Sequence, residues 1–282
     1  MLAQGERHMN KKVGVLFIHG MGVTHGDFAH DTIQELRNRV SGRGLNREDI
    51  AWESVFWAPV LSARETQLWV DLSAEHGLNW AKLRKFFINA FGNVAAYQSM
   101  QDRSEDVYGR IHGKVNESLK ELRLKLGGED KPLIVIAHSL GSAIMSDYIW
   151  DRQKGRDAER LGASRFERME TLSGLITLGS NIPLFTLGHT PVTCIEFPPP
   201  GLPEKLRKKA KWLNLYDSDD VLGWPLKPLS IGYSDTVTED MEVSVGNILT
   251  SWNPGTHVAY WTDDSVIKPA AYLIASILEE CP

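Results

Sequence analysis

Residues 133–145 read LIVIAHSLGSAIM, and this stretch decides the fold of the chain. Its first part, 133–137, is an uninterrupted run of apolar or small residues rich in β-branched side chains. Such a run predicts a strand buried on both faces, as in a parallel sheet flanked by helices. After Ser139 the apolar residues recur at helical spacing, for example at Ile144 and Tyr148. The serine therefore lies at a sharp corner between a buried strand and a helix.

The corner at Ser139 has the form of a nucleophile elbow. In this strained turn the serine Oγ stands clear of the sheet, and the N-terminal dipole of the following helix points at it. The residues two positions before and after the serine must be small, because bulk there would stop the chain from turning. Those positions hold Ala137 and Gly141, whereas the usual Gly-x-Ser-x-Gly pattern has glycine at both. The short pattern fits a catalytic and a purely structural serine equally well, so the rest of the chain has to decide.

A glycine-bearing loop follows the first apolar run of the chain. Residues 13–18 predict another buried strand, and it ends in the sequence His-Gly-Met-Gly that begins at His19. In acyl-transfer hydrolases such a loop supplies one of two backbone N–H groups that bind the substrate oxyanion, and the residue after the nucleophile supplies the other. The candidates here are the N–H groups of Met21 and Leu140. His19 is expected to brace the loop, and the alternative is that the glycines merely form a turn.

Three aspartates lie in an acidic loop after the strand predicted over 212–216. A carboxylate on the loop after a late strand can orient a catalytic histidine and stabilise its cation. We expect Asp220 to take this role, because the apolar residues after it should pack the loop beneath the histidine. Asp219 is the alternative, and Asp217 is expected to brace the loop.

The candidate base is His257, the only histidine after the acidic loop. It lies in a turn just before a C-terminal helix predicted over 269–278. The chain order is thus Ser139, then Asp220, then His257, which is the order typical of hydrolases built on a nucleophile elbow. Three separately placed motifs agree, and together they predict a catalytic triad.

Helices are predicted between the strands. Amphipathic patterns indicate helices over 28–40, with Asp27 as N-cap, and over 106–126. Between about 60 and 103 the chain is rich in Trp and Phe at mixed helical spacing, which fits either a helical cap or plain packing against the sheet. The charged stretch 151–170 is expected to be a solvated linker or a surface helix.

Composition argues against several classes of function. The formal net charge of −5 offers no basic face for nucleic acid. The two cysteines, Cys194 and Cys281, form neither a disulfide framework nor a zinc-binding spacing. No run approaches the roughly 18 apolar residues of a membrane span, and the first residues contain no apolar signal core. We therefore expect a cytoplasmic protein without a transmembrane segment.

Four side chains near the first loop superficially resemble metal ligands: His25, Asp27, His30 and Asp31. Their spacing fits helix capping and a solvated helix face better, so no metal is expected. An activated serine needs no organic cofactor either.

Together these motifs resemble the α/β-hydrolase superfamily and, within it, bacterial lipase-like proteins. The resemblance rests on the His-Gly-Met-Gly loop, an Ala-His-Ser-Leu-Gly elbow, a Tyr-Asp-x-Asp-Asp acidic loop and a Trp-Asn-Pro-x-x-His turn. It covers nearly the whole chain, from the strand before His19 to the helix after His257. It implies a single domain over 1–282, with a mostly parallel central sheet flanked by helices and a helical, cap-like insertion at about 60–103.

The resemblance also implies an activity. The expectation is a serine hydrolase that cleaves a carboxylic ester of a small molecule or a lipid-like compound through an acyl-enzyme on Ser139. Asp220 and His257 complete the triad, and no cofactor is implied. Two alternatives remain open, namely acyl transfer or thioester cleavage on the same triad, and a binding protein that keeps the fold without the activity.

Overall fold

Among the residues that the structure describes, six parallel strands form a central sheet. The computed structural model describes residues 11–73, 88, 92, 96–97, 107–155, 164–188, 190–246 and 256–281, with the backbone alone at 256–258. In chain order the strands are β1 Val13–Ile18, β2 Ile50–Val55, β3 Leu133–His138, β4 Leu172–Leu178, β5 Lys211–Tyr216 and β6 Glu239–Glu242. They lie side by side in the order β2-β1-β3-β4-β5-β6, and every neighbouring pair is parallel.

Helices cover both faces of this sheet. In the described ranges they are α1 His30–Ser41, α2 Pro59–Ser73, α3 Val107–Lys125, α4 Leu140–Gln153, α5 Ile182–Thr186, α6 Glu204–Lys209, α7 Ile231–Thr236 and α8 Asp264–Leu278. Helices α1 and α8 share one hydrophobic cluster with the sheet, and α3 and α4 share the other. Every residue of β1, β3 and β4 is buried as a result. The predicted fold class is confirmed, because this layered parallel sheet with a serine corner after β3 is the α/β-hydrolase fold.

Helix α3 follows its predicted amphipathic pattern closely. The predicted inner face is buried throughout: Val107, Ile111, Val115, Leu119, Leu122 and Leu126. The helix ends in a Schellman motif, in which the N–H of Gly128 donates to the carbonyl of Arg123 and the N–H of Gly127 to that of Leu124. Gly127 has a φ of 77°, which favours glycine and explains why the helix stops there.

Two predicted helix starts are wrong. Helix α1 has Ala29 as N-cap without a side-chain cap, and Asp27 contributes only its backbone carbonyl, which accepts from the N–H of His30. Helix α8 begins at Asp264 and contains Pro269 in its interior. The start is set by the Asp263 side chain, which accepts from the N–H of Ser265 at 2.9 Å.

Most of the predicted insertion at about 60–103 lies outside the described residues. Its described parts are helix α2, Ile88, Gly92, Ala96 and Tyr97. Tyr97 is buried, and its hydroxyl lies 2.9 Å from Nε2 of His112 in α3. Its ring also packs edge-on against Phe185 of α5. At Tyr97 the segment therefore joins the hydrophobic core beside α3.

The charged stretch 151–170 is less solvated than predicted where it is described. Helix α4 continues to Gln153, and Asp151 is buried and accepts a hydrogen bond of 2.6 Å from the hydroxyl of Tyr108. Phe166 is fully buried in the cluster formed by α3 and α4. Residues 156–163 lie outside the described ranges. The charged composition of this stretch did not predict that Asp151 is buried, because hydropathy alone does not reveal a carboxylate that has a hydrogen-bond donor.

We expect Tyr108→Phe to lower the free energy of unfolding by about 1–3 kcal/mol, because the buried Asp151 carboxylate loses a donor. Tyr272→Phe is the matched control, since Tyr272 is 62% exposed, and its effect should stay within about 0.5 kcal/mol. Urea denaturation measures both values. Equal stabilities of the two variants would contradict the role given to the Tyr108 hydroxyl.

Candidate active site

Ser139 occupies the corner between β3 and α4 in a strained conformation. Its φ is 54° and its ψ is −126°, and only Met169 shares a positive φ among the non-glycine residues of the described ranges. Such a backbone costs on the order of 1–3 kcal/mol and persists only when surrounding structure holds it. The N–H of Ser139 donates to the carbonyl of Leu178 at 2.9 Å, which extends the pairing between β3 and β4 into the turn.

A pair of buried serines fixes the far side of the elbow. The N–H of Ser142 donates to the carbonyl of Ser139 at 2.9 Å, and the Ser142 hydroxyl donates to the same carbonyl. The hydroxyl of Ser180, which follows β4, lies 2.9 Å from that of Ser142. All three serines are buried. Ser142 and Ser180 have no local sequence signal, because they meet only in the folded chain.

The loop after β1 lies directly against the elbow. A Cβ added at Gly20 would stand 2.5 Å from Cβ of Ser139 and 3.0 Å from its Oγ. A Cβ added at Gly141 would stand 2.6 Å from the carbonyl oxygen of His19. Gly141 is therefore required by close backbone approach, and Gly20 is required by its packing against the side chain of Ser139. The two candidate oxyanion donors follow directly, since Met21 is the residue after Gly20 and Leu140 begins α4.

His19 braces this loop from behind, as expected. Its Nε2 accepts from the N–H of Trp57 at 3.2 Å, so Nδ1 carries the proton and donates to the Gly20 carbonyl at 2.6 Å. The indole N–H of Trp57 donates to the His19 carbonyl at 2.8 Å, and the two rings stack. Burial lowers the pKa of His19 to about 4, although the hydrogen bond to Gly20 acts in the opposite direction. The imidazole is therefore a neutral structural element at neutral pH.

The acidic loop after β5 separates its three aspartates into different environments. Asp217 is buried and braces the loop, because its carboxylate accepts from the N–H of Asp219 at 2.8 Å and from that of Val245 at 2.7 Å. Asp219 is exposed, whereas Asp220 is buried. The two oxygens of Asp220 accept separately, Oδ1 from the N–H of Leu222 and Oδ2 from the hydroxyl of Tyr260, both at 3.0 Å. This geometry favours Asp220 over Asp219 as an orienting carboxylate.

The packing that the sequence predicts after Asp220 is wrong for Val221. This side chain is 81% exposed instead of buried beneath the loop. The loop is held by hydrogen bonds to backbone and hydroxyl donors, which the apolar pattern of the sequence does not report. Gly179 and Gly223 provide the space, since a Cβ at either would come within 3.0 Å of Oδ2 of Asp220.

His257 lies in the short 3₁₀-helix Thr256–Trp261. The structure describes the backbone of His257 but not its side chain. Tyr260 belongs to the same turn and is fully buried. Its hydroxyl contacts the acidic loop at Asp217 and Asp220. The fold thus brings the turn that carries His257 to the loop that carries Asp220. Tyr260 was not anticipated, because a tyrosine in a turn has no distinctive sequence pattern.

The four metal-like residues line a surface depression beside the loop after β1. It has a volume of about 410 Å³ and is lined by Gly22, Val23, Thr24, His25, Asp27, Phe28, His30 and Asp31. No group of three or more His, Cys, Asp or Glu side chains in the described ranges is arranged to hold a metal ion.

Among the helices that are described, none combines the length and the apolar character needed to cross a membrane.

Gly141→Ala should destabilise the protein by about 2 kcal/mol or more, because the added methyl meets the backbone of His19 at 2.6 Å. Gly113→Ala in α3 is the matched control, since its Cβ would meet nothing within 4 Å. That change should stabilise by roughly 0.5–1 kcal/mol through helix propensity. Chemical denaturation compares the two, and a harmless Gly141→Ala would contradict the close approach of the loop and the elbow.

The stability of the native chain should fall as the pH drops from about 6.5 to about 4. The pKa of His19 is depressed in the folded state, so in this window the unfolded chain binds a proton that the folded chain excludes. His19 contributes about 3 kcal/mol that is present above the unfolded pKa and lost below the folded one. Urea unfolding across this range measures the slope, with His19→Gln as a comparison that cannot titrate. An identical slope in that variant would refute the assignment.

The likeness of this chain to known proteins lies in its structure. No protein-family model matches the chain, and no curated protein matches it. Among solved structures it is similar to a dienelactone hydrolase from Anabaena variabilis, at 12% identity and a TM-score of 0.41, over 97% of this chain and 88% of that one. Independently of this likeness, the sheet order and the corner at Ser139 give the chain the α/β-hydrolase fold.

Proposed function

We propose that the protein is a serine hydrolase that cleaves a carboxylic ester through an acyl-enzyme on Ser139. The observation that carries the proposal is the backbone of Ser139, which is held at a positive φ directly before α4 and against the loop of Gly20. Strained residues are concentrated at functional sites, so a strained serine that is held by two glycines and a buried serine pair supports a role for its Oγ.

The proposed reaction proceeds in two halves. The Oγ of Ser139 attacks the ester carbonyl carbon while His257 takes its proton, and the oxyanion is bound by the N–H groups of Met21 and Leu140. The alcohol then leaves with the proton returned by His257. Water attacks the acyl-enzyme, again with His257 as base, and releases the acid and the free serine.

Asp220 is the proposed orienting carboxylate. It is buried beside the turn of His257, and each of its oxygens accepts one described hydrogen bond from a fixed donor. Hydrogen bonds of this kind favour the ionised carboxylate. An ionised Asp220 would hold the imidazole tautomer and stabilise the imidazolium that forms when Ser139 loses its proton.

The substrate is proposed as an ester of a small molecule or a lipid-like compound, used without a cofactor. Acyl transfer and thioester cleavage would use the same triad, so both remain alternatives. Acyl transfer differs from the proposed reaction in the acceptor, and thioester cleavage differs from it in the leaving group. A binding protein without activity is the third alternative. The organisation of 1–282 as one domain, the cap over the site and the cytoplasmic location likewise remain predictions.

Labelling with a fluorophosphonate, read by intact mass, tests the proposal. The native chain should gain a single adduct and Ser139→Ala none, because the probe forms a covalent bond only with an activated serine Oγ. Ser62→Ala is the matched control, since Ser62 is an exposed serine in α2, and it should label like the native chain. A folded native protein without an adduct would bring the binding-protein alternative forward.

A series of nitrophenyl esters and thioesters of increasing chain length then identifies the leaving group and the acyl preference. Ser139→Ala should lose turnover by about 10⁴-fold or more. Addition of a competing alcohol separates hydrolysis from transfer, since a transferase would form the new ester at the expense of the free acid. Full turnover in Ser139→Ala would refute the triad.

A further inference from the structure

Tyr260 makes a specific contact with the candidate triad acid. It is fully buried. Its hydroxyl accepts from the N–H of Asp217 at 2.8 Å and donates to Oδ2 of Asp220 at 3.0 Å. A backbone N–H can only donate, so the single proton of the tyrosine hydroxyl is directed at the carboxylate.

The donor that orients this hydroxyl is itself fixed. The side chain of Asp217 is anchored by the N–H groups of Asp219 and Val245. The backbone of Asp217 therefore belongs to a rigid part of the loop. On the other side of the carboxylate, Oδ1 of Asp220 accepts from the N–H of Leu222. With one firm donor on each oxygen, the plane of the carboxylate is defined.

The contact between Tyr260 and Asp220 depends on the absence of side chains at two neighbouring glycines. A Cβ at Gly179, which has a φ of 49°, would stand 2.9 Å from Cε2 of Tyr260. A Cβ at Gly223 would stand 2.7 Å from Oδ2 of Asp220 and 3.1 Å from the tyrosine hydroxyl. Two glycines, one after β4 and one in the acidic loop, thus leave room for a ring and a carboxylate side by side.

The tyrosine also links two parts of the site. It lies in the 3₁₀-helix Thr256–Trp261 that contains His257, whereas Asp220 lies on the loop after β5. Burial, and after it the negative charge of Asp220, raises the pKa of Tyr260 well above its ordinary value, so the hydroxyl keeps its proton as a donor. Two other titratable groups near the pair in the described ranges are Asp217 and His138, and the ring of His138 lies 5.8 Å from that of Tyr260.

We propose that Tyr260 is a positioning residue of the triad, which orients Asp220 and limits its basicity toward His257. The inference rests on the proposed function. A donor on Oδ2 spreads part of the negative charge away from the histidine. Its removal leaves a more basic carboxylate, which raises the pKa of His257 and moves the acidic limb of activity to higher pH. It also leaves a less well oriented carboxylate, and this loss of orientation slows proton transfer from Ser139.

The test is the rate of fluorophosphonate labelling as a function of pH in the native chain and in Tyr260→Phe. The variant should label about tenfold more slowly. The acidic limb of its profile should move to higher pH by roughly half a unit or more. Tyr108→Phe is the control for the loss of a hydroxyl that donates to a buried carboxylate elsewhere, and it should keep the native profile even if it is less stable.

A second variant keeps the test decisive if Tyr260→Phe does not fold. Site-specific replacement of Tyr260 by 3-fluorotyrosine keeps the ring and makes the hydroxyl a stronger donor, so the acidic limb should move to lower pH. Unchanged profiles in folded Tyr260 variants would overturn the inference while leaving the hydrolase intact. A native chain that does not label at all would instead overturn the proposed function, so the two failures are distinguishable.

Discussion

The close approach of two backbones, at the end of β1 and at the start of α4, is the constraint on which the site depends. The carbonyl of His19 occupies the position that a side chain at residue 141 would need, and a Cβ at Gly20 would collide with the side chain of Ser139. No side chain can mediate such a contact, so the neighbouring elements must hold both segments in place. The stacked pair of His19 and Trp57 supports one segment, and the hydroxyl pair of Ser142 and Ser180 supports the other.

A second constraint acts at the acidic loop, where electrostatics and packing are combined. The carboxylate of Asp220 is buried, which is tolerable because fixed donors approach both of its oxygens. The ring of Tyr260 fills the adjacent space and connects this loop to the turn of His257. The hydrogen bond from Tyr260 to Asp220 therefore both stabilises the loop and orients the carboxylate.

Much of the fold could be predicted because its strands are continuous apolar runs. β1 and β3 are buried on both faces, and the periodic apolar positions of α3 predicted its inner face and its glycine end. β6 was missed, since Glu239 to Glu242 contain no apolar run and, among the residues that the structure describes, pair only with β5. The predicted start of α8 at Pro269 is wrong, since the capping side chain of Asp263 sets the start and Pro269 lies inside the helix.

The site was predictable only in part for a related reason. Ser139 and its loop are marked by local patterns of small residues, whereas the choice of Asp220 depends on contacts between distant segments. Tyr260 lies forty residues from Asp220 in the chain, and Ser180 lies thirty-eight from Ser142. Such pairs have no periodicity, and an exposed Val221 where packing was expected shows how hydropathy misleads in a loop fastened by hydrogen bonds.

The acidic composition of β6 affects the association of two copies of the molecule through the edge of the sheet. In the described ranges the sheet ends at β2 and β6, and unpaired strand edges can template association between molecules. β6 reads Glu-Asp-Met-Glu, so a second copy aligned along it would oppose like charges. At the other edge, Lys125 donates to the carbonyl of Trp52 and pairs with Glu53. Charge therefore discourages growth of the sheet beyond six strands in a concentrated solution.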